Sequence, residues 1–247
     1  MKKNIIYNED CFKGMKNIKN NSIDLICTDI PYFSVVKEEW DNQWKTLEDY
    51  LKWFKKLILE YKRIIKDTGS IFIFTGRQYN RHLAIIMDEF LIEQRIIIWK
   101  RKRNMSQTRG RALNTGYEPL CYYTVKDKGF VYNNLKVPPE KHLQKRKEYV
   151  TGHLKDGVAI SDVWDINALP HNAKENTNHP TQKPVEIMER IVKMSSNEGD
   201  IVLDTFMGSG TTAIACKKTN RNYIGFELNK DYYEIINKRI KEYDDKL

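Results

Sequence analysis

Apolar positions along this chain come in short blocks whose period keeps changing. Asn4 to Tyr7 and Ser22 to Thr28 are short apolar runs bounded by polar residues, the pattern of buried strands. Leu47, Tyr50, Leu51, Phe54, Leu57, Ile58, Tyr61 and Ile65 then recur at helical spacing. Thr46 and Asp49 make a capping box before that helix, and Asp67-Thr68-Gly69 supplies its stop. Ser70 to Phe74 predicts a strand, Tyr79 to Phe90 a helix, and Ile92 to Trp99 and Leu120 to Val125 two more strands. After Pro184, placed at a first helical position, a helix is predicted to Ser195. Asp200 to Thr205 and Asn222 to Glu227 are strands, each followed by a helix, Thr211 to Thr219 and Asp231 to Tyr243. Alternation of this kind predicts an α/β fold: a doubly wound, mostly parallel sheet with helices on both faces.

From about Lys100 to Asp165 the rhythm breaks down, and we read an inserted, loop-rich subdomain at 100–165, with one catalytic domain built from 1–99 and 166–247. The insertion begins with Lys100, Arg101, Lys102, Arg103, Arg109 and Arg111, and no acid lies among them. The chain of 247 residues carries a net charge of +9. A basic protein tends to meet polyanions, because lysine and arginine displace counterions from phosphates. Four scattered cysteines, Cys11, Cys27, Cys121 and Cys216, form no paired motif and do not cluster with histidine. That spacing predicts a reducing cytoplasmic setting and no metal site. No apolar run approaches the roughly 18 residues of a membrane helix, and the basic start leads into a strand rather than a signal peptide.

The candidate chemistry lies in two places. Asp204-Thr205-Phe206-Met207-Gly208-Ser209-Gly210-Thr211-Thr212 joins a strand to a helix through a glycine turn, the device that brings backbone close to a nucleotide. The loop fits G-x-G-x-x-A with Ala213 last, and Glu227 ends the next strand, where a carboxylate can bond ribose hydroxyls. An NAD oxidoreductase would carry the same signature. Only one strand and one helix follow the loop, however, so the missing strands must come from the N-terminal half. Asn4 to Tyr7 and Ser22 to Thr28 are expected next in the sheet after the Glu227 strand. Asp29 then faces the crevice of Gly208 to Gly210, and Asp10 and Cys11 line the same pocket.

The second place is Asp29-Ile30-Pro31-Tyr32. With Phe206, Gly208 and Gly210 matching F-x-G-x-G, and His179-Pro180-Thr181-Gln182-Lys183-Pro184 ahead of the cofactor strand, the chain resembles the beta class of DNA amino-methyltransferases. In that family D/N/S-P-P-Y/F precedes the target-recognition region and the cofactor motif follows it, a circularly permuted order. The resemblance implies a Rossmann-like methyltransferase sheet, S-adenosylmethionine as cofactor and DNA as partner. It implies Asp29, Ile30, Pro31 and Tyr32 as the catalytic motif, with Tyr32 stacking on an extruded base. It also implies cofactor contacts from Asp10, Cys11, Asp29, Thr181, Lys183, Phe206, Gly208, Ser209, Gly210, Thr211 and Glu227. Thr181 has a second reading as the cap of the Pro184 helix. Lys100, Arg101, Arg103, Arg109 and Arg111 are the expected nucleic-acid contacts.

Ile30 departs from the family's first proline, whose role rests on a main-chain carbonyl that isoleucine keeps. Asp29 favours adenine N6, since the cytosine N4 enzymes more often carry serine there. Cytosine N4 methylation is the close alternative, and a catalytically silent DNA-binding relative is another. A homodimer and a restriction endonuclease acting on the same site are compatible partners.

Overall fold

Eight strands form one sheet in the order β1-β10-β9-β2-β3-β5-β4-β8. The computed structural model describes residues 2–35, 37–101, 115–138, 146–152, 154–170, 172–177 and 179–245. The chain runs β1 (Ile5–Tyr7), α1 (Cys11–Met15), β2 (Ile23–Asp29), a 3-10 turn (Glu39–Asp41), α2 (Leu47–Ile64), β3 (Ile65–Phe74), α3 (Asn80–Asp88), β4 (Ile92–Lys100) and β5 (Tyr117–Thr124). It continues through β6 (Lys136–Val137), α4 (Lys147–Val150), β7 (Val158–Ala159), β8 (Val163–Asp165), α5 (Val185–Ser195), β9 (Ile201–Asp204), α6 (Thr211–Lys218), β10 (Asn222–Phe226) and α7 (Lys230–Asp244). Strand β5 runs against both neighbours and every other pairing in this sheet is parallel. The predicted doubly wound α/β class is therefore the observed one.

Successive residues of the central strands serve opposite faces, as the two-residue period of a strand requires. Leu25, Cys27, Phe72 and Phe74 join the core under α5, α6 and α7. Ile26, Ile71 and Ile73 join the core under α1, α2 and α3. The N-cap of α2 forms as expected, with Thr46 Oγ1 accepting from the Asp49 N–H at 3.1 Å.

The structure corrects several expectations. Helix α2 stops at Ile64, and Ile65 already pairs with Ile23 on β2. The Asp67-Thr68-Gly69 stop lies in a bulge of β3, because the register jumps between Ile65 and Ser70 while β2 advances from Ile23 to Leu25. Pro184 is the extended N-cap of α5 rather than its first helical residue, and the first helical N–H, that of Val185, donates to Glu175 Oε2 at 3.3 Å. Thr181 is thus not its cap. Strand β2 is not beside β10 but on the far side of β9. Lastly, 100–165 is not wholly an insertion. Tyr117–Thr124 is an internal strand between β3 and β4, and Val163–Asp165 extends the sheet at β4. Among the described residues, no helix is long and apolar enough to cross a membrane.

Candidate active site

The crossover from β9 through α6 leads to β10, and that from β2 through α2 leads to β3, on the opposite side of the sheet's midline. A crevice opens where neighbouring connections diverge in this way, at the carboxyl ends of the strands. Asp29 ends β2 and Asp204 ends β9. The two ends are tied together, since Thr28 Oγ1 donates to Asp204 Oδ1 at 2.7 Å.

Gly208 and Gly210 have φ of 52° and 77°, the left-handed region that favours glycine. A Cβ at Gly208 would lie 3.1 Å from His179 Nε2, and one at Gly210 would lie 2.7 Å from Ile236 Cγ2. Asp204 fixes the loop from beneath by accepting from Thr212 Oγ1 at 2.6 Å and the Phe206 N–H at 3.1 Å. Burial raises its carboxyl to about 6 in spite of these donors. Glu227, one residue past β10, accepts from the Gly208 N–H at 2.7 Å and the Asn229 N–H at 2.8 Å. Burial raises it to about 7. Arg239 of α7 braces the turn, donating from Nη1 to the Ser209 carbonyl at 2.8 Å.

Beside the loop is a cavity of about 430 Å³. All of the expected cofactor residues line it except Gly210: Asp10, Cys11, Asp29, Thr181, Lys183, Phe206, Gly208, Ser209, Thr211 and Glu227. Gly210 instead forms the N-terminal boundary of α6. Asp10 caps α1 by accepting from the Lys13 N–H at 3.1 Å, which places Cys11 at the head of that helix. Burial pushes the Cys11 thiol up to about 12, so it is a neutral packing group. Phe206 leans on Trp53, ring centres 5.8 Å apart. His179 stacks on Trp40 and packs against Tyr232 beside the cavity. Burial, then Lys183, lowers its imidazole to about 4, so it is neutral.

At the Asp29 end the charges are dense. Lys183 Nζ donates to Asp29 Oδ2 at 2.6 Å, and the Tyr32 hydroxyl donates to Asp29 Oδ1. Lys183 also lies 3.0 Å from the Tyr32 hydroxyl and 3.3 Å from Glu118 Oε2. Glu118 Oε1 receives Arg101 Nη1 at 2.7 Å. Burial lowers the affinity of Lys183 for its proton, but Asp29 and Glu118 together outweigh it and the ammonium is held charged. Asp29 is raised by burial, with Lys183 pulling down and Glu118 pushing up. Burial and the facing Asp29 carboxylate raise Tyr32 well above the usual phenol range, so it remains a donor.

The turn after Asp29 is built around Asp41, which is fully buried. Its carboxylate accepts from the N–H groups of Tyr32, of Phe33 at 2.9 Å and of Val35 at 2.6 Å. Phe33 and Ser34 have φ of 63° and 60°, which is costly for residues with side chains. The Tyr50 hydroxyl fixes the turn's other end by donating to the Pro31 carbonyl at 2.7 Å. The Ile30 side chain is buried in the α2-side core. Gly76 backs the Tyr32 ring, where a Cβ would lie 3.0 Å from Cγ.

Thus the predicted motif, glycine loop and Glu227 converge. Of the basic stretch, Lys100 is at the exposed end of β4, 4.0 Å from Asp165, and Arg101 pairs with Glu118. Arg103, Arg109 and Arg111 lie outside the described residues. Sequence reasoning missed Glu118, Asp41 and Trp40. The strand containing Glu118 was read from Leu120, and only its pairing with Trp99 on β4 brings it to the cleft.

Three comparisons bear on this geometry. A family model described as "DNA methylase" (N6_N4_Mtase) matches residues 23–238. The chain is 33% identical over 235 residues to the type II methyltransferase M.HpaI of Haemophilus parainfluenzae, covering 94% of this chain and 72% of that one. It is 28% identical over 250 residues to the DNA adenine methyltransferase YhdJ of Escherichia coli, covering 95% and 82%. The solved M1.HpyAVI–SAM complex superposes with a TM-score of 0.69 at 27% identity, covering 95% of this chain and 98% of that one.

Proposed function

Since the chain belongs to the N6/N4 DNA methylase family and is a DNA methyltransferase that uses S-adenosylmethionine, we propose that its target is the exocyclic N6 of an adenine turned out of DNA. The observation that carries this reading is Asp29. It is a carboxylate, not a serine, at the end of β2, on the rim of the cavity formed with the glycine loop. The relationship to a protein named as a DNA adenine methyltransferase supports the same base.

The residues present fit the cofactor. A cavity of about 430 Å³ is within the usual range for small-molecule sites. A Cβ on Gly208 would crowd His179, so glycine keeps the turn open where a ligand must lie against main chain. Glu227 retains acceptor capacity beyond its two backbone donors, as ribose hydroxyls require. Asp10, Cys11, Trp53 and Phe206 offer an apolar wall with one acceptor for the purine. Thr181, Ser209 and Thr211 offer hydroxyls for the amino-acid portion. When bound, the cofactor supplies a methyl group made electrophilic by its sulfonium.

Everything else is done by the protein. An exocyclic amine is a weak nucleophile because its lone pair is delocalised into the ring. Asp29 accepts one of its hydrogens and the Ile30 carbonyl the other, which favours a more tetrahedral, electron-rich nitrogen. Asp29 then takes the proton the nitrogen loses. Pro31 and the Asp41-braced turn fix the direction of approach, and Tyr32, backed by Gly76, stacks on the base. Ile30 keeps the main-chain carbonyl that proline would supply but adds an N–H and loosens the backbone restraint, so activity should survive with altered efficiency. Lys100, Arg101, Arg103, Arg109 and Arg111 hold phosphates and read base edges, within a target-recognition region spanning most of 100–165. A restriction endonuclease acting on the same site is the companion this reading allows.

The test is transfer of labelled methyl from S-adenosylmethionine to DNA. Wild type should label DNA, and Asp29→Asn should not while still binding cofactor. Full activity in the variant would overturn Asp29 as the proton acceptor.

A further inference from the structure

Arg101, Glu118, Lys183 and Asp29 form a line of alternating charge leading from the start of the basic segment to the proposed proton acceptor. The three links are 2.7, 3.3 and 2.6 Å long. The Lys183 and Glu118 side chains are 5% and 15% exposed, and Arg101 at the outer end is 38% exposed. One ammonium is shared by two carboxylates, and the outer carboxylate is balanced by a guanidinium at the surface. The Arg101 Nε and Glu118 Oε2 atoms are buried without a hydrogen-bond partner among the described residues, so the Lys183–Glu118 link is an ion pair rather than a hydrogen bond.

In this arrangement Asp29 is occupied. One oxygen takes the Tyr32 hydroxyl and the other the Lys183 ammonium. The two donors occupy the oxygens an incoming amine would need and hold Asp29 below the basicity that its burial alone would give it. Methyl transfer therefore needs Lys183 to relax its hold, and Glu118 is the other acceptor within its reach. How far Glu118 can draw the ammonium depends on how much of its own charge Arg101 neutralises.

We propose that Glu118 is a positioning residue for methyl transfer: it competes with Asp29 for Lys183, and engagement of Arg101 by a DNA phosphate strengthens Glu118 in that competition and frees Asp29 for the base. This inference rests on the reading of Asp29 as proton acceptor and of Arg101 as a nucleic-acid contact. It couples DNA engagement to the basicity of Asp29 through three side chains on three separate segments.

The sign of each charge gives opposite predictions for its two ends. Facing Asp29 are Lys183 from the segment before α5, Glu118 from β5, and Tyr32 from its own turn. Farther out are Asp204 from β9, whose oxygens take Thr28 and Thr212, Tyr50 from α2, whose hydroxyl is given to Pro31, and the Cys27 thiol on β2. Only Glu118 in this set is linked to the surface by a cation. Removing its charge leaves Lys183 wholly to Asp29, making Asp29 more acidic and less available. Removing the Arg101 charge leaves Glu118 unbalanced, making Asp29 more basic.

The experiment is the methylation rate against pH and duplex-DNA concentration, with S-adenosylmethionine saturating, so that the acid limb is read in kcat/KM, before phosphate holds Arg101, for wild type, Glu118→Gln, Arg101→Gln and Asp29→Asn. Cofactor affinity serves as the measure of folding. For Glu118→Gln the rate should drop about ten- to a hundredfold, the equivalent of one close buried charge pair. Its acid limb should move to lower pH, with cofactor affinity and KM for DNA nearly unchanged. For Arg101→Gln the acid limb should move to higher pH and KM for DNA should rise. Limbs that stay in place, or move the same way in both variants, overturn the proposal. Should Glu118→Gln lose cofactor binding, the upward shift in Arg101→Gln decides alone. An active Asp29→Asn would instead overturn the underlying reading of Asp29, and is told apart by that.

Discussion

Glu227 is the residue whose perturbation can be followed most fully from structure to measurement. It is 9% exposed and accepts two backbone N–H groups, at 2.7 and 2.8 Å. Burial raises its carboxyl from 4.5 to about 7, so holding it ionised in the free protein costs about 3 kcal/mol. The sign follows from linkage. The folded state binds the extra proton between pH 4.5 and about 7, so this group's contribution to stability falls as pH rises through that window. Ribose hydroxyls need the ionised acceptor, so cofactor affinity should move the other way. It should be level above pH 8 and weaken by about tenfold by pH 6, the fraction ionised for a group titrating near 7.

Glu227→Gln keeps the shape, removes the charge and turns an NH2 group toward one of the backbone donors. One N–H is left unsatisfied, which acts on stability, and one ribose contact is lost, worth about 1–3 kcal/mol in binding. Titration calorimetry with S-adenosylmethionine from pH 6 to 8.5 reads both effects. Wild type should show the rise in affinity with pH. The variant should bind about ten- to a hundredfold more weakly at pH 8 and show little of that rise. At pH 8 its cofactor-free melting temperature should stay close to wild type, because the cost of the buried charge disappears with the lost bond. A wild-type affinity that is level from pH 6 to 8.5, or a glutamine variant that binds equally well, would refute the reasoning.

Other expectations can be checked one at a time. Asp41→Ala leaves the Tyr32, Phe33 and Val35 N–H groups without their acceptor while two left-handed residues lose their brace. It should lower stability by about 2 kcal/mol or more in denaturant titration and slow methylation more than it weakens cofactor binding. Gly210→Ala adds a Cβ 2.7 Å from Ile236 at φ 77°, and should cost about 1–3 kcal/mol of stability in thermal melts. Lys100→Ala should lower the slope of log affinity against log salt for DNA by about one, with no change in cofactor affinity. An unchanged slope would move the DNA interface away from the end of β4.

Much of the fold was legible because strands and helices differ in period, and the glycine turn announced the crevice. Asp29 and Gly208 were readable for the same reason: each is next to the end of a buried strand, where position along the chain nearly fixes position in space. Order in the sheet was less legible. The β2 run was expected beyond β10, and no local pattern tells that it pairs with β9 instead. Strand β5 was recognised but set within an insertion, because basic and polar residues around it masked its membership of the sheet. Least legible were pairings between distant segments. Lys183 was expected along the cofactor, and it lines that cavity, yet its ammonium is given to Asp29 and Glu118. Nothing in the spacing singles out Asp41, and only the completed turn shows three N–H groups converging on it.

The most direct test of the central claim is the identity of the modified base. DNA methylated by this protein alone, mapped at single-molecule resolution and hydrolysed to nucleosides for mass spectrometry, should contain N6-methyladenine within one short sequence motif. N4-methylcytosine in its place would contradict the adenine assignment. Unmodified DNA from protein that binds S-adenosylmethionine would contradict the proposed reaction.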